Sequence, residues 1–180
     1  MNNERMSLIV GDLLMTMKID LAAKKEIGQV FHIFFEDGYC LFDCRTFSKE
    51  KAYGYLNVFL RDPGTKSIAY SVTSDCYMRS PETMEIIGEQ LIALLVTADG
   101  SMDVTMQPYK RETNGKIKYD DPIPVDNTQA GGPITEFYQP GLMVSDEMRK
   151  QVIQEIRERI LRKKIPYSTY AKETESPAFD

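Results

Sequence analysis

The sequence holds a single histidine, His32, among 180 residues. It sits inside the apolar run of residues 28–35. A catalytic triad and a multi-histidine metal site are both excluded, and His32 reads as a hydrogen-bonded packing residue. Cysteine is scarce too. Cys40, Cys44 and Cys76 make an odd count with no disulfide framework. The C-x-x-x-C of the first two lacks the second Cys or His pair that four zinc ligands require, so all three read as thiols of a reducing compartment. Neither a phosphate-binding glycine loop nor a dinucleotide fingerprint is present. No apolar run approaches the ~20 residues of a membrane span, and the start Met1-Asn-Asn-Glu-Arg5 has no apolar signal region. Positive charge is not in excess: 22 basic residues face 27 acidic ones, for a net charge of -5. Non-specific attraction to phosphate needs positive potential, so any nucleic-acid contact must come from a local basic face. These absences lead us to expect a cytoplasmic protein that is not an enzyme, has no metal or cofactor, and does not engage a membrane.

What is present allows a real core, since 42% of the residues are apolar. Residues 1–6 read as a loose polar start, residues 14–20 as closer to strand than helix, and residues 21–26 as a charged connector. The run Val30, Phe31, Ile33, Phe34, Phe35 predicts a strand over 28–35. Asp37-Gly38 then marks a hairpin turn through its tolerance of positive φ, and residues 39–47 return as a second strand. Tyr53, Tyr55 and Phe59 alternate, which predicts a third strand over 53–60, and residues 67–72 a fourth. Ser80-Pro81-Glu82 has the chemistry of a helix start, and Met84, Ile87, Leu91, Leu94 and Leu95 follow at helical spacing. A helix capped by Ser80, with Pro81 at its first position and running through Leu95, is the expectation.

The stretch 104–161 organises the rest. A strand over 102–109, an Asn114-Gly115 turn and a strand over 116–119 lead into the Pro-rich 120–125. Asp120-Asp121 reads as a solvated bend, and residues 126–141 as a loop. Ser145 can cap a last helix with Asp146 and Glu147 in its first turn, and Met148, Val152, Ile153, Ile156 and Ile160 form its buried stripe. Beyond that helix the chain reads as a polar tail. Strand, turn, strand, Ser-capped helix at 53–95 and again at 102–161 suggests an internal repeat.

Charge is segregated here. Residues 146–164 carry +3 and the remainder -8, the minimum a phosphate-binding face requires. The candidate contacts are Lys110, Arg111 and Lys116 on the hairpin, with Lys118 beside them. On and after the helix they are Arg149, Lys150, Arg157, Arg159, Arg162, Lys163 and Lys164. Tyr109 and Tyr119 are the nearby stacking candidates. The plainer reading pairs Glu155 with Arg159 and Glu158 with Arg162 as four-spaced surface ion pairs.

Met106-Gln-Pro108, Lys110-Arg111, Asn114-Gly115, the strand reaching Pro122-Ile123 and the Arg/Ile-rich helix resemble the SpoVG family of small bacterial regulators. The 30–47 hairpin is similar to that family's central hairpin. Gln107 interrupts the family's Met-Pro, Asp121 replaces a His, the 126–144 loop is far longer, and 53–100 has no counterpart. The resemblance implies a small dimer, paired through a sheet edge, that binds DNA or RNA and modulates gene expression. The expected fold is α+β, an antiparallel β-meander with two amphipathic helices, built from a duplicated or inserted SpoVG-like β-β-α unit. Residues 1–100 would form the meander plus helix, 101–166 the hairpin plus basic helix, and 167–180 a tail, within one compact domain. The alternative is an inhibitor encoded by a phage or mobile element, such as an anti-CRISPR protein, acting on a host nucleic-acid enzyme. It would dock its acidic surface or a sheet edge on a protein partner.

Overall fold

A computed structural model describes residues 3–24, 27–43, 47–80, 82–126, 133–141, 144–162 and 164–166. The fold is α+β. Its strands are β1 (Val30–Phe35), β2 (Gly38–Phe42), β3 (Ala69–Arg79), β4 (Ile86–Thr97), β5 (Met102–Arg111), β6 (Ile117–Tyr119), β7 (Ile123–Pro124) and β8 (Ile165–Pro166). Its helices are α1 (Asn3–Lys24), α2 (Lys49–Leu60) and α3 (Asp146–Glu155). The strands hydrogen-bond as an antiparallel sheet in the order β6-β5-β4-β3-β1-β2-β8, with β7 also on β5. Contacts group the chain into two compact units, Met1–Phe31 with Ser71–Glu136 and His32–Tyr70 with Phe137–Asp180.

In the first unit, α1 replaces the strand expected over 14–20 and, from Asn3 on, the loose start expected over 1–6; residues 1 and 2 lie outside the described residues. Met6, Ile9, Val10, Leu13, Leu14, Met17 and Leu21 are buried on one face, at the three- and four-residue spacing of a helix. Leu8, Met15 and Ile19 lie exposed on the opposite face. Apolar residues all round the helix erase the amphipathic contrast, so the short window 14–20 imitates a strand. The buried face packs on β4 and β5.

From Ile86 on, the helix expected after Ser80 is instead strand β4, paired antiparallel with β5 from Glu89↔Tyr109 to Val96↔Met102. Leu91, Ala93 and Leu95 are fully buried at alternating positions, the period of a strand. Ser80 does act as a cap, but of a turn: its Oγ accepts from the backbone N–H groups of Glu82 and Thr83 (both 3.3 Å). Met84 then takes φ 60°, which ends any helical path. Pro81 lies outside the described residues.

The Asn114-Gly115 turn forms as expected. Glu112 N–H bonds the Lys116 carbonyl at 2.8 Å, Gly115 takes φ 82°, and Lys116 N–H bonds Asn114 Oδ1 at 2.8 Å. A three-residue loop with its last position left-handed is a common hairpin solution. The Pro-rich segment folds back on β5 as β7, with Thr105↔Pro124 and Met106↔Ile123.

In the second unit, α2 occupies residues expected to be a strand. Ser48 caps it, accepting from Lys51 N–H at 3.3 Å, and Ala52, Leu56, Phe59 and Leu60 are buried at helical spacing. The string at 53–95 is therefore helix, strand, strand. Asp37-Gly38 makes the turn, but Gly38 has no positive φ. A side chain there would collide with the Ile165 backbone, so glycine serves the close pairing of β2 with β8 at Gly38↔Pro166. The chain was expected to be polar tail from Pro166 onward; that residue belongs to β8, and residues 167–180 lie outside the described residues.

Part of the expected 126–141 loop is anchored in this unit. Phe137 is buried against Tyr53 and Tyr70, each ring centroid 5.2 Å away. Asn57, buried within α2, donates to the carbonyls of Phe137 (2.9 Å) and Gln139 (3.1 Å).

Asn57→Ala should cost about 2 kcal/mol, because the buried Phe137 carbonyl and the part-buried Gln139 carbonyl lose their donor. Gly141→Ala should also destabilise, since its Cβ would strike the Asn57 carboxamide. It should do so less in the Asn57→Ala background, and urea denaturation of the four chains checks this. His32 clusters with the rings of Phe34 and Tyr39 (6.3 and 5.9 Å), and burial pushes its pKa down to about 4. The unfolded chain then binds the extra proton, so stability is present above the ordinary pKa of 6.5 and is lost as pH falls toward 4. Between pH 7 and 5 the loss should be about 2 kcal/mol, and His32→Phe should flatten it in denaturation curves.

Candidate nucleic-acid interface

The cap of the last helix forms as expected. Ser145 Oγ accepts from Met148 N–H at 3.2 Å, with Asp146 and Glu147 in the first turn. After Glu155 the helix widens into a π-type turn over Ile156–Ile160, where Leu161 N–H reaches the Ile156 carbonyl (2.8 Å). Ile153, Ile156 and Ile160 are buried. Val152 is only half-buried, and Met148 is exposed, so the stripe is shorter than expected. Leu161 then bridges Phe42, and the chain continues into β8 beside β2.

The candidate cations divide between the two units. In the first, Lys110 and Lys116 are exposed at the β5–β6 end, with Lys118 on β6. Arg111 is engaged. Its Nε donates to Glu89 (3.3 Å) and a terminal nitrogen to the Tyr109 hydroxyl (3.2 Å), with Asp75 at 3.9 Å. Tyr109 is no stacking platform. It is buried, and its single hydroxyl proton goes to Asp75 (2.8 Å), with Glu89 standing 3.3 Å from the same oxygen; burial and the two carboxylates push its phenol strongly upward. Tyr119 is half-buried beneath Lys18, whose Nζ lies 5.0 Å from the ring centre.

In the second unit, neither expected four-spaced ion pair forms. Glu155 accepts instead from Tyr55 (2.8 Å), and Glu158 from Gln154 (2.8 Å). Burial and Glu155 together raise the Tyr55 pKa. Arg162 pairs with Asp43, Lys164 pairs with Asp37 at 2.7 Å, and Arg149 pairs with Asp146. Three expected phosphate contacts are thus answered within the fold. Lys163 lies outside the described residues. Lys150, Arg157 and Arg159 are exposed and make no ion pair among the described residues. Lys150 and Arg157 share the wall of a depression of about 420 Å³ with Asp62, Gly64, Ile153, Gln154 and Glu158. Arg157 also donates weakly to the Gly64 carbonyl (3.4 Å).

Sequence reasoning missed Asp62 and Gly64, whose Asp-Pro-Gly string signals only a turn. Nothing in the string shows that this turn faces the last helix. Among the described residues no His, Cys, Asp and Glu converge as a metal site, and no helix is long and apolar enough to cross a membrane. Cys40 and Cys76 are free thiols, while Cys44 lies outside the described residues. No family model, curated protein or solved structure matches the chain.

Arg162→Gln should lower stability by about 1 kcal/mol, as a partly exposed pair allows, because Asp43 is only 13% exposed beside it. Lys150→Gln should leave stability within about 0.5 kcal/mol. Thermal denaturation of the two variants checks the division between fold-holding and free cations.

Proposed function

We propose that the protein is a non-catalytic nucleic-acid-binding regulator whose contact is the exposed cationic side of α3 and the turn after it. One observation carries this reading: Lys150 and Arg157 line one depression without an ion-pair partner among the described residues. Arg159 adds a third exposed cation nearby in sequence. Arg suits phosphate because its planar fork offers paired donors. The resemblance of residues 106–123 and the basic helix to the SpoVG family supports the same reading. With few free cations on an acidic chain, contact is local rather than steered from a distance.

A second reading, an inhibitor that binds a protein partner, is favoured by α1. Leu8, Met15 and Ile19 are 64%, 59% and 64% exposed on the face turned away from the core, and contiguous exposed apolar surface commonly marks a protein contact. The sheet ends in β6 and β8, short strands that contain Lys118 or Pro166 and are preceded by Lys116 and Lys164. Such edges discourage strand addition, so this reading rests on the helix rather than on an edge.

Fluorescence anisotropy of labelled duplex DNA and single-stranded RNA across a salt series separates the two. Under the first reading, binding weakens with salt at a log–log slope of about -2, from roughly three phosphate contacts on a single strand. K150E/R157E/R159E abolishes it. The absence of binding to either nucleic acid at low salt overturns the first reading and leaves the second.

A further inference from the structure

The depression is not lined by cations alone. Lys150 and Arg157 lie about two helical turns apart, near 10 Å by the ~1.5 Å rise per residue. Buried Ile153 gives the wall between them an apolar surface. Asp62 and Glu158 bring two carboxylates to the same wall. The Asp62 carboxylate folds over the turn, 3.0 Å from where a Gly64 Cβ would sit, and Glu158 is oriented by Gln154 (2.8 Å).

Two cations and two anions leave the depression without net charge. A surface that only neutralised duplex phosphates would gain nothing from the carboxylates, which repel the same phosphates. A ligand that matches this wall carries anionic groups at its ends and hydrogen-bond donors between them. An unpaired ribonucleotide has that form: phosphates on either side, a 2′-hydroxyl and exocyclic amines as donors, and a base face for the apolar wall. Carboxylates accept from those donors. A volume of about 420 Å³ is of mononucleotide scale and far below a duplex groove.

Resting on the nucleic-acid reading above, we infer that this depression takes one unpaired ribonucleotide of single-stranded RNA, with Lys150 and Arg157 on the flanking phosphates and Glu158 and Asp62 on its hydroxyl and amino donors. The ribose 2′-hydroxyl is what separates RNA from DNA at such a site.

The test measures binding of one labelled 12-nucleotide sequence as RNA, as DNA and as duplex DNA, with AMP as competitor, to the full chain and to E158Q, D62N and K150E/R157E. Each glutamine or asparagine keeps the shape while removing the charge, and either variant alone carries the test if the other fails to fold. The expected result is RNA bound at least 5-fold more tightly than the same DNA. That ratio should fall below 2-fold in E158Q or D62N, both strands should weaken at least 10-fold in K150E/R157E, and AMP should compete only at concentrations far above those of the strand. Equal affinity for RNA and DNA overturns the assignment, as does a preference that survives both E158Q and D62N. AMP competing as well as the strand overturns it in favour of a free-nucleotide site. Duplex DNA bound best would leave the nucleic-acid reading standing and remove this inference alone; binding to none of the strands removes both.

Discussion

Charge neutralisation inside the second unit decides which of its basic residues remain available. Asp43 and Asp37 stand at the two ends of β2, and Arg162 and Lys164 descend from the last helix onto them. The backbone follows the same path: Asp43 N–H bonds the Ile160 carbonyl (3.1 Å) and Arg162 N–H the Leu41 carbonyl (3.0 Å). Lys164 holds the Asp37 carboxyl below its usual range and lies 5.0 Å from the Phe35 ring centre. Each exposed pair contributes little alone. Their weight is in exclusivity: a guanidinium held by a nearly buried carboxylate must lose that partner before it can meet a phosphate. Segregated charge in a sequence therefore overstates the cations a surface can offer.

The parts legible in the sequence were those fixed by near neighbours. The Ser145 cap, the Asn114-Gly115 hairpin and the apolar run of β1 each depend on residues a few positions apart, and each forms as read. The errors share one cause. In α1, β4 and α2, a short window satisfied two periods at once, and only tertiary burial chose between them. Leu91, Leu94 and Leu95 fit a helix stripe, yet Leu91, Ala93 and Leu95 also fit one strand face, and pairing with β5 settled it. Tyr53, Tyr55 and Phe59 alternate as a strand would, while Ala52, Leu56, Phe59 and Leu60 make the helical face that is buried. Local chemistry can even be right and the element wrong: Ser80 caps, but the residue at φ 60° four places on makes what it caps a turn.

The candidate site was half legible for a related reason. A cation's presence is written in the sequence; its partner is not. Arg111 is engaged with Glu89, 22 positions away, and Arg162 with Asp43, 119 positions away. No spacing rule reaches that far. The four-spaced pairs that such rules do suggest, Glu155–Arg159 and Glu158–Arg162, are displaced by Tyr55 and Gln154.

The π-type turn joins these observations. A regular α-helix would bond Leu161 N–H to the Arg157 carbonyl, four residues back; reaching Ile156 instead admits one extra residue into the turn. Such turns are uncommon and recur at functional sites. Here the turn keeps Ile156 and Ile160 in the core while Leu161 leaves in extended conformation to bridge Phe42. Arg157 stays on the wall of the depression and Arg162 is delivered to Asp43. One local irregularity thus places one arginine toward solvent and commits another to the fold. Substituting the apolar residues of this turn would change both together, although neither arginine would have been touched.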